Sequence, residues 1–155
     1  MGVVHGLRAF VPRLLAARES AWIVNTASLA GLTSVPGLAA YCASKHAVVA
    51  LSECLHHELA RLDAPIRVAV LCPAFVPTAI AATLPAEEPW AAQVRRAVDR
   101  GRLSADEVAE RALAGLAAGR FYLLPHPAGL AGVAARAEDI AAGHPPRDPT
   151  DLRPS

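Results

Sequence analysis

Val4, Leu7, Val11 and Leu14 recur three and four residues apart, so the segment from Met1 to Ala17 predicts an amphipathic helix, with His5, Arg8 and Arg13 interrupting its apolar run. Trp22 to Thr26 is a short apolar run between polar Glu19 and Ser20 and the small residues Ala27 and Ser28, the pattern of a buried strand. Gly31, Pro36 and Gly37 mark the loop that follows. The strongest periodicity runs from Tyr41 to about Leu62, where Val48, Leu51, Leu55, Leu59 and Leu62 form an apolar stripe opposite His46, Glu53, His57 and Arg61. Pro65 ends this helix, and Ile66 to Cys72 is broken only by Arg67, as expected of a strand covered on both faces. Strand, helix and strand in this order predict a βαβ crossover in an open parallel sheet.

Beyond that unit, Trp90, Val94 and Val98 keep helical register within Pro85 to Arg100, and Gly101 stops the helix. Ser104 and Glu107 stand three apart at the start of the next helix, the spacing of a capping box, and Gly119 occupies its C-terminal end. Arg120 to Leu124 predicts a third strand and Leu130 to Ala142 a last helix before Gly143. Pro145, Pro146, Pro149 and Pro154 then give residues 143–155 the character of a flexible tail, leaving 1–142 as the folded region.

Composition narrows the possibilities. A chain of 155 residues, 54% hydrophobic and 19% charged, fits one packed domain. A net charge of +1, with no basic stretch interleaved with aromatics, leaves no electrostatic footprint for nucleic acid or an anionic membrane. No apolar run reaches the length of about 18 residues that a spanning helix needs. The N-terminus lacks a signal-peptide pattern, so a cytoplasmic location is expected. Cys42, Cys54 and Cys72 form no C-x-x-C pair and read as reduced, structurally buried thiols.

Ligands of an open parallel sheet bind outside the carboxyl ends of its strands. Ser28 follows the first strand, Pro73-Ala74-Phe75-Val76-Pro77-Thr78 follows the second, and the helix between them opens with Tyr41 and Lys45, four apart and on one face. An ordinary phenol titrates near about 10, and drawing one down by about three units takes about 4 kcal/mol of differential stabilisation, which an ammonium and a second cation can supply together. A serine hydroxyl beside such a pair holds the substrate oxygen while the tyrosine exchanges the proton. Other chemistries lack their residues. Arg61 stands where H-E-x-x-H requires a second histidine after His57-Glu58, so no metal site is expected. G-x-S-x-G is absent around Ser28, and Cys42 occupies the serine position of S-x-x-K before Lys45. His5, His46, His126 and His144 are scattered, and taken alone Tyr41 and Lys45 also suit an ordinary helix start with a snorkelling lysine.

Ile23-Val24-Asn25-Thr26-Ala27-Ser28, Pro36-Gly37, Tyr41-Cys42-Ala43-Ser44-Lys45 and Pro73 to Thr78 together resemble the short-chain dehydrogenase/reductase family in order and spacing, from Gly2 to about Pro149. Y-x-x-x-K by itself is weak, but Y-x-A-S-K thirteen residues after the strand-end serine is specific. The resemblance implies a partial Rossmann-like, doubly wound α/β sheet comprising the family's last three strands. It implies hydride transfer between NAD or NADP and an alcohol or ketone. Ser28 and Tyr41 match the catalytic serine and the proton-transferring tyrosine, Lys45 matches the catalytic lysine that contacts the nicotinamide ribose, and the resemblance places Tyr41 with Lys45 among the cofactor-binding residues. Pro73, Ala74, Val76 and Thr78 belong to the cofactor loop, where Val76 and Thr78 match positions meeting the nicotinamide amide and the phosphates. Ala74 replaces the usual glycine, which adds a methyl group and restricts φ.

T-G-x-x-x-G-x-G, the family's phosphate-binding turn, is absent from these residues, as are its N-A-G segment and the asparagine of the preceding helix. The expectation is a catalytic half, inactive alone, whose first strand shows an unpaired apolar edge. The alternative is a non-catalytic remnant or interaction module, since in this family helices matching 3–17 and 41–62 commonly pack against their copies in a homodimer. NAD against NADP is unreadable without the second strand. By resemblance, Ala79 to Arg100 governs substrate choice, with Ile80, Leu84 and Trp90 forming an apolar lid.

Overall fold

The computed structural model describes residues 1–79, 82, 87 and 89–151. In chain order they form α1 (Gly2–Ala17), β1 (Ala21–Thr26), α2 (Ala39–Arg61), β2 (Ile66–Leu71), α3 (Pro89–Asp99), α4 (Ala105–Ala117), β3 (Tyr122–Leu123) and α5 (Leu130–Ala142). The strands make one parallel sheet in the order β1-β2-β3, with Ala21 opposite Ile66, Thr26 opposite Leu71 and Val70 opposite Tyr122. Parallel neighbours need long crossovers, which α2 and the α3-α4 pair provide. The third strand is shorter than the predicted 120–124, although Phe121 and Leu123 still accept backbone bonds from Val70 and Cys72.

Successive side chains of a strand face opposite sides, and β2 uses both. Ile66 and Val68 meet Leu55 and Leu59 of α2, with Leu7, Val11, Leu14 and Leu15 of α1 closing that core, while Val70 and Cys72 pack with Val49. On the other side Ala69 packs with Ala112 of α4 and Leu123, joined by Trp22, Leu71 and Leu116. Arg67 stays exposed by lying 5.5 Å over the Trp22 ring. At β1, whose one sheet neighbour among the described residues is β2, Val24 and Thr26 are exposed.

The stripe predicted for α2 is rotated. Val49 and Ser52 are buried beside Leu55 and Leu59, while Leu51 and Leu62 are exposed. Ser52 can lie in the core because its hydroxyl donates to the Val48 carbonyl at 2.7 Å and accepts from the Asn25 amide at 2.9 Å, leaving no unmet polar atom. The capping box at Ser104 and Glu107 forms in full. The expectation of three buried thiols needs correction, because Cys42 and Cys72 are buried but Cys54 is exposed on α2. Within the C-terminal segment, the Arg147 guanidinium bonds Asp139, Glu138 and the Ala135 carbonyl of α5.

Candidate active site

Ser28 leaves β1 in extended backbone and caps a 3-10 turn, Leu29–Gly31, by accepting from the Ala30 N–H at 3.2 Å. Its own proton points to the Pro73 carbonyl at 3.4 Å, the outer limit of a hydrogen bond, so it is easily redirected to a better acceptor. The same carbonyl accepts from the Leu29 N–H at 2.8 Å, which ties the loop after β1 to the loop after β2. Gly31 lets this turn lie directly on α2, since a Cβ there would come within 2.7 Å of the Lys45 carbonyl oxygen.

Helix α2 begins at Ala39, two residues before the predicted start, which puts Tyr41 in its first turn and Lys45 one turn on. The Lys45 ammonium lies 5.6 Å from the Tyr41 ring centroid and donates to the Thr26 carbonyl at the end of β1, at 3.4 Å. One long bond leaves most of the ammonium's donor capacity available. Tyr41 is half-open to solvent, and its hydroxyl has no hydrogen-bond partner among the described residues. Beneath this group Cys72 is sealed in, and burial pushes its thiol up to about 11, against the Ser28 N–H and the Lys45 charge, which pull it down. It is therefore a neutral packing residue.

The loop after β2 is braced from below. Gly101 approaches so closely that a Cβ would meet the Phe75 carbonyl and Pro77 at 2.7 Å. Val76 is half-buried and Thr78 exposed, and no hydrogen bond joins either to Ser28, Tyr41 or Lys45 among the described residues. The structure adds a residue that the sequence reading left among scattered histidines: His126, just beyond β3, accepts the Ala74 N–H on Nδ1 at 3.2 Å. Its place at the carboxyl end of a parallel strand is the signal that could have singled it out. Ile80 and Leu84 of the expected lid lie outside the described residues, as does the side chain of Trp90. The groove of about 370 Å³ between α4 and β3 contains none of these groups.

The short chain dehydrogenase family model matches residues 1–89, more than half of the chain and the part that carries Ser28, the Tyr41-Lys45 pair and the loop after β2. This chain belongs to the short-chain dehydrogenase family. It is 39% identical over 120 residues to 1-deoxy-11-beta-hydroxypentalenate dehydrogenase of Streptomyces avermitilis, covering 77% of this chain and 41% of that protein. A short-chain dehydrogenase/reductase from Burkholderia phymatum, solved in complex with NAD, superimposes with a TM-score of 0.89 at 45% identity, covering 97% of this chain and 59% of that one. A Sphingobium yanoikuyae member in complex with NADPH follows at a TM-score of 0.59 and 27% identity, covering 85% of this chain and 46% of its own. The chain thus spans about half the length of the relatives it matches. NAD and NADP are the cofactors of this family. No helix among the described residues is long and apolar enough to cross a membrane.

Proposed function

We propose that these residues form the catalytic half of an NAD(P)-dependent oxidoreductase that interconverts a small-molecule alcohol and ketone. The observation that carries the reading is the convergence of Ser28, Tyr41 and Lys45, with the Lys45 ammonium beside the Tyr41 ring and a solvent-facing hydroxyl that has no hydrogen-bond partner among the described residues. The donor set suits a nicotinamide nucleotide: Lys45 retains unused N–H donors for a ribose, and the half-buried Val76 and exposed Thr78 offer loop donors that have no partner among the described residues. Pro73 and Ala74 hold that loop against Ser28 and His126. When bound, the cofactor supplies or accepts the hydride.

The chain's own residues handle the substrate oxygen and its proton. Ser28 turns its weakly held proton from the Pro73 carbonyl to the substrate oxygen, which fixes the carbonyl's orientation. Tyr41 passes a proton to that oxygen in reduction and removes it in oxidation, and the nearby Lys45 charge steadies the phenolate left behind. The phosphate-binding glycine turn is not found within these 155 residues, so turnover is proposed to depend on a segment that carries it, joined to this chain or supplied separately. Ala79 to Arg100 would shape substrate choice, and exposed Phe10 of α1 with Leu51 of α2 would meet a second copy in a homodimer.

The test is a fluorescence titration of the purified chain with NADH and NADPH, with and without a complementary segment carrying the glycine-rich turn. Binding and Tyr41-dependent reduction of a ketone panel in the supplied state are expected. A folded complex that binds neither nucleotide would overturn the proposal and favour a non-catalytic interaction module, which sedimentation would then register as a homodimer without cofactor.

A further inference from the structure

Pro73 and Ala74 share one peptide plane, and that plane is held from both ends. Its carbonyl accepts from the Leu29 N–H at 2.8 Å and from the Ser28 hydroxyl at 3.4 Å; its N–H donates to His126 Nδ1 at 3.2 Å. A peptide unit is rigid, so rotation that frees one end displaces the other. His126 itself is fixed in place. It precedes the 3-10 turn Pro127–Gly129, where a side chain at Gly129 would run into Leu29, and it follows Pro125, whose carbonyl accepts from Arg111 at 2.8 Å.

We infer that His126 is a positioning residue that sets the Ser28 hydroxyl through the Pro73-Ala74 peptide, and that it does so only as the neutral imidazole with its proton on Nε2. Protonation places a second N–H against the Ala74 N–H, donor against donor, and the plane loses its anchor. Arg111 of α4 is the charged group that faces His126; the turn 28–33, the loop 73–78 and residues 127–133 carry no ionisable side chain. Burial foremost, and then the Arg111 charge, hold the imidazole below its ordinary range, so the anchoring form prevails at neutral pH. Nε2 is buried without a partner among the described residues, so it is the Ala74 bond that selects the tautomer. The catalytic consequence rests on the proposed role of Ser28; the anchoring does not.

Nitrogen-15 NMR of the full chain tests both parts. Imidazole shifts report the tautomer and titration of His126, while amide exchange reports protection at Ala74 and Leu29, the two ends of the plane. As His126 protonates, protection at both amides is expected to fall about tenfold, the scale of one hydrogen bond. His126→Asn, whose amide oxygen can replace Nδ1 and does not titrate, keeps both protected at acid pH. His126→Leu loses both at every pH, and the wild-type titration keeps the test decisive if that variant fails to fold. Unchanged protection at either amide while the imidazole titrates overturns the inference. In the complemented enzyme, His126→Asn should remove an acid limb of kcat/KM that the wild type shows. Amides that respond while this limb is absent from the wild type would retain the anchor and overturn the role given to Ser28.

Discussion

Tyr41 and Ser28 sit in different local environments, and the difference matches their proposed tasks. Ser28 bonds backbone on both sides, which keeps its oxygen in place; the Tyr41 ring lies near Lys45, and its hydroxyl has no hydrogen-bond partner among the described residues. Tyr41→Phe removes that hydroxyl and little else, so turnover of the complemented enzyme should fall by about 10²–10⁴-fold while nucleotide affinity, read by fluorescence, changes little. The cysteines give a second residue-scale expectation. Cys54 is exposed, whereas Cys42 and Cys72 are buried and the Cys72 thiol is pushed up to about 11. A maleimide at pH 8 should therefore modify Cys54 alone in the folded chain, and mass spectrometry showing Cys72 equally labelled would contradict the packing beneath Lys45. The motif residues were legible because Y-x-A-S-K and the strand-end serine are local patterns. For His126 the local signal is its place beyond the carboxyl end of a strand; its bond to Ala74, 52 residues away, is not legible in the sequence.

At the scale of elements, local spacing fixes the start of α4 more closely than it fixes the buried face of α2. Ser104 and Glu107 close their capping box, with each side chain bonding the other's backbone, as their spacing predicts. Ser104→Ala should cost about 1 kcal/mol and lower Tm by about 2–4 °C in a chain of this size, measured by circular dichroism, without altering the candidate site. For α2 the apolar positions alone pointed to a stripe through Leu51 and Leu62, and the helix instead buries Val49 and Ser52. A serine reads as solvent-facing until the Asn25 amide that pairs with it is known. Tyr122 is a similar case: its hydroxyl donates to Glu53 of α2 at 2.6 Å, and burial first, then that carboxylate, push the phenol up to about 12. This bond links a two-residue strand to the crossover helix, a contact that neither segment announces alone.

The described residues form a three-stranded sheet whose edge strand β1 exposes Val24 and Thr26, and Arg147 of the C-terminal segment bonds back to α5. Arg147 holds the buried Asp139 carboxylate through Nε at 2.9 Å, and its side-chain and backbone bonds keep that carboxyl below the usual carboxylate range. A depressed carboxylate stabilises the fold above its ordinary pKa and ceases to as the pH falls through its folded value, because the unfolded chain takes up protons first. Arg147→Ala should release the segment from 144 onward, seen as faster limited proteolysis there, and should weaken the loss of stability on the acid side of the ordinary carboxylate range. Equal cleavage rates in the two proteins would show that the clasp does not hold the segment.

The sequence by itself determined the order of helices and strands, the parallel sheet, the capping box and the family motifs that bring Ser28, Tyr41 and Lys45 into question. Hydrophobic period, proline and glycine breaks and short spacings are properties of neighbouring residues, and they survive in a one-dimensional reading. The tertiary structure alone decided which face of α2 is buried, that Cys54 is open, that Arg147 bonds back to α5 and that His126 accepts the Ala74 N–H. Each of these depends on a polar or apolar group finding its partner across many residues. A buried polar group is tolerated only when that partner is present, so its place is settled by packing rather than by its neighbours in the chain.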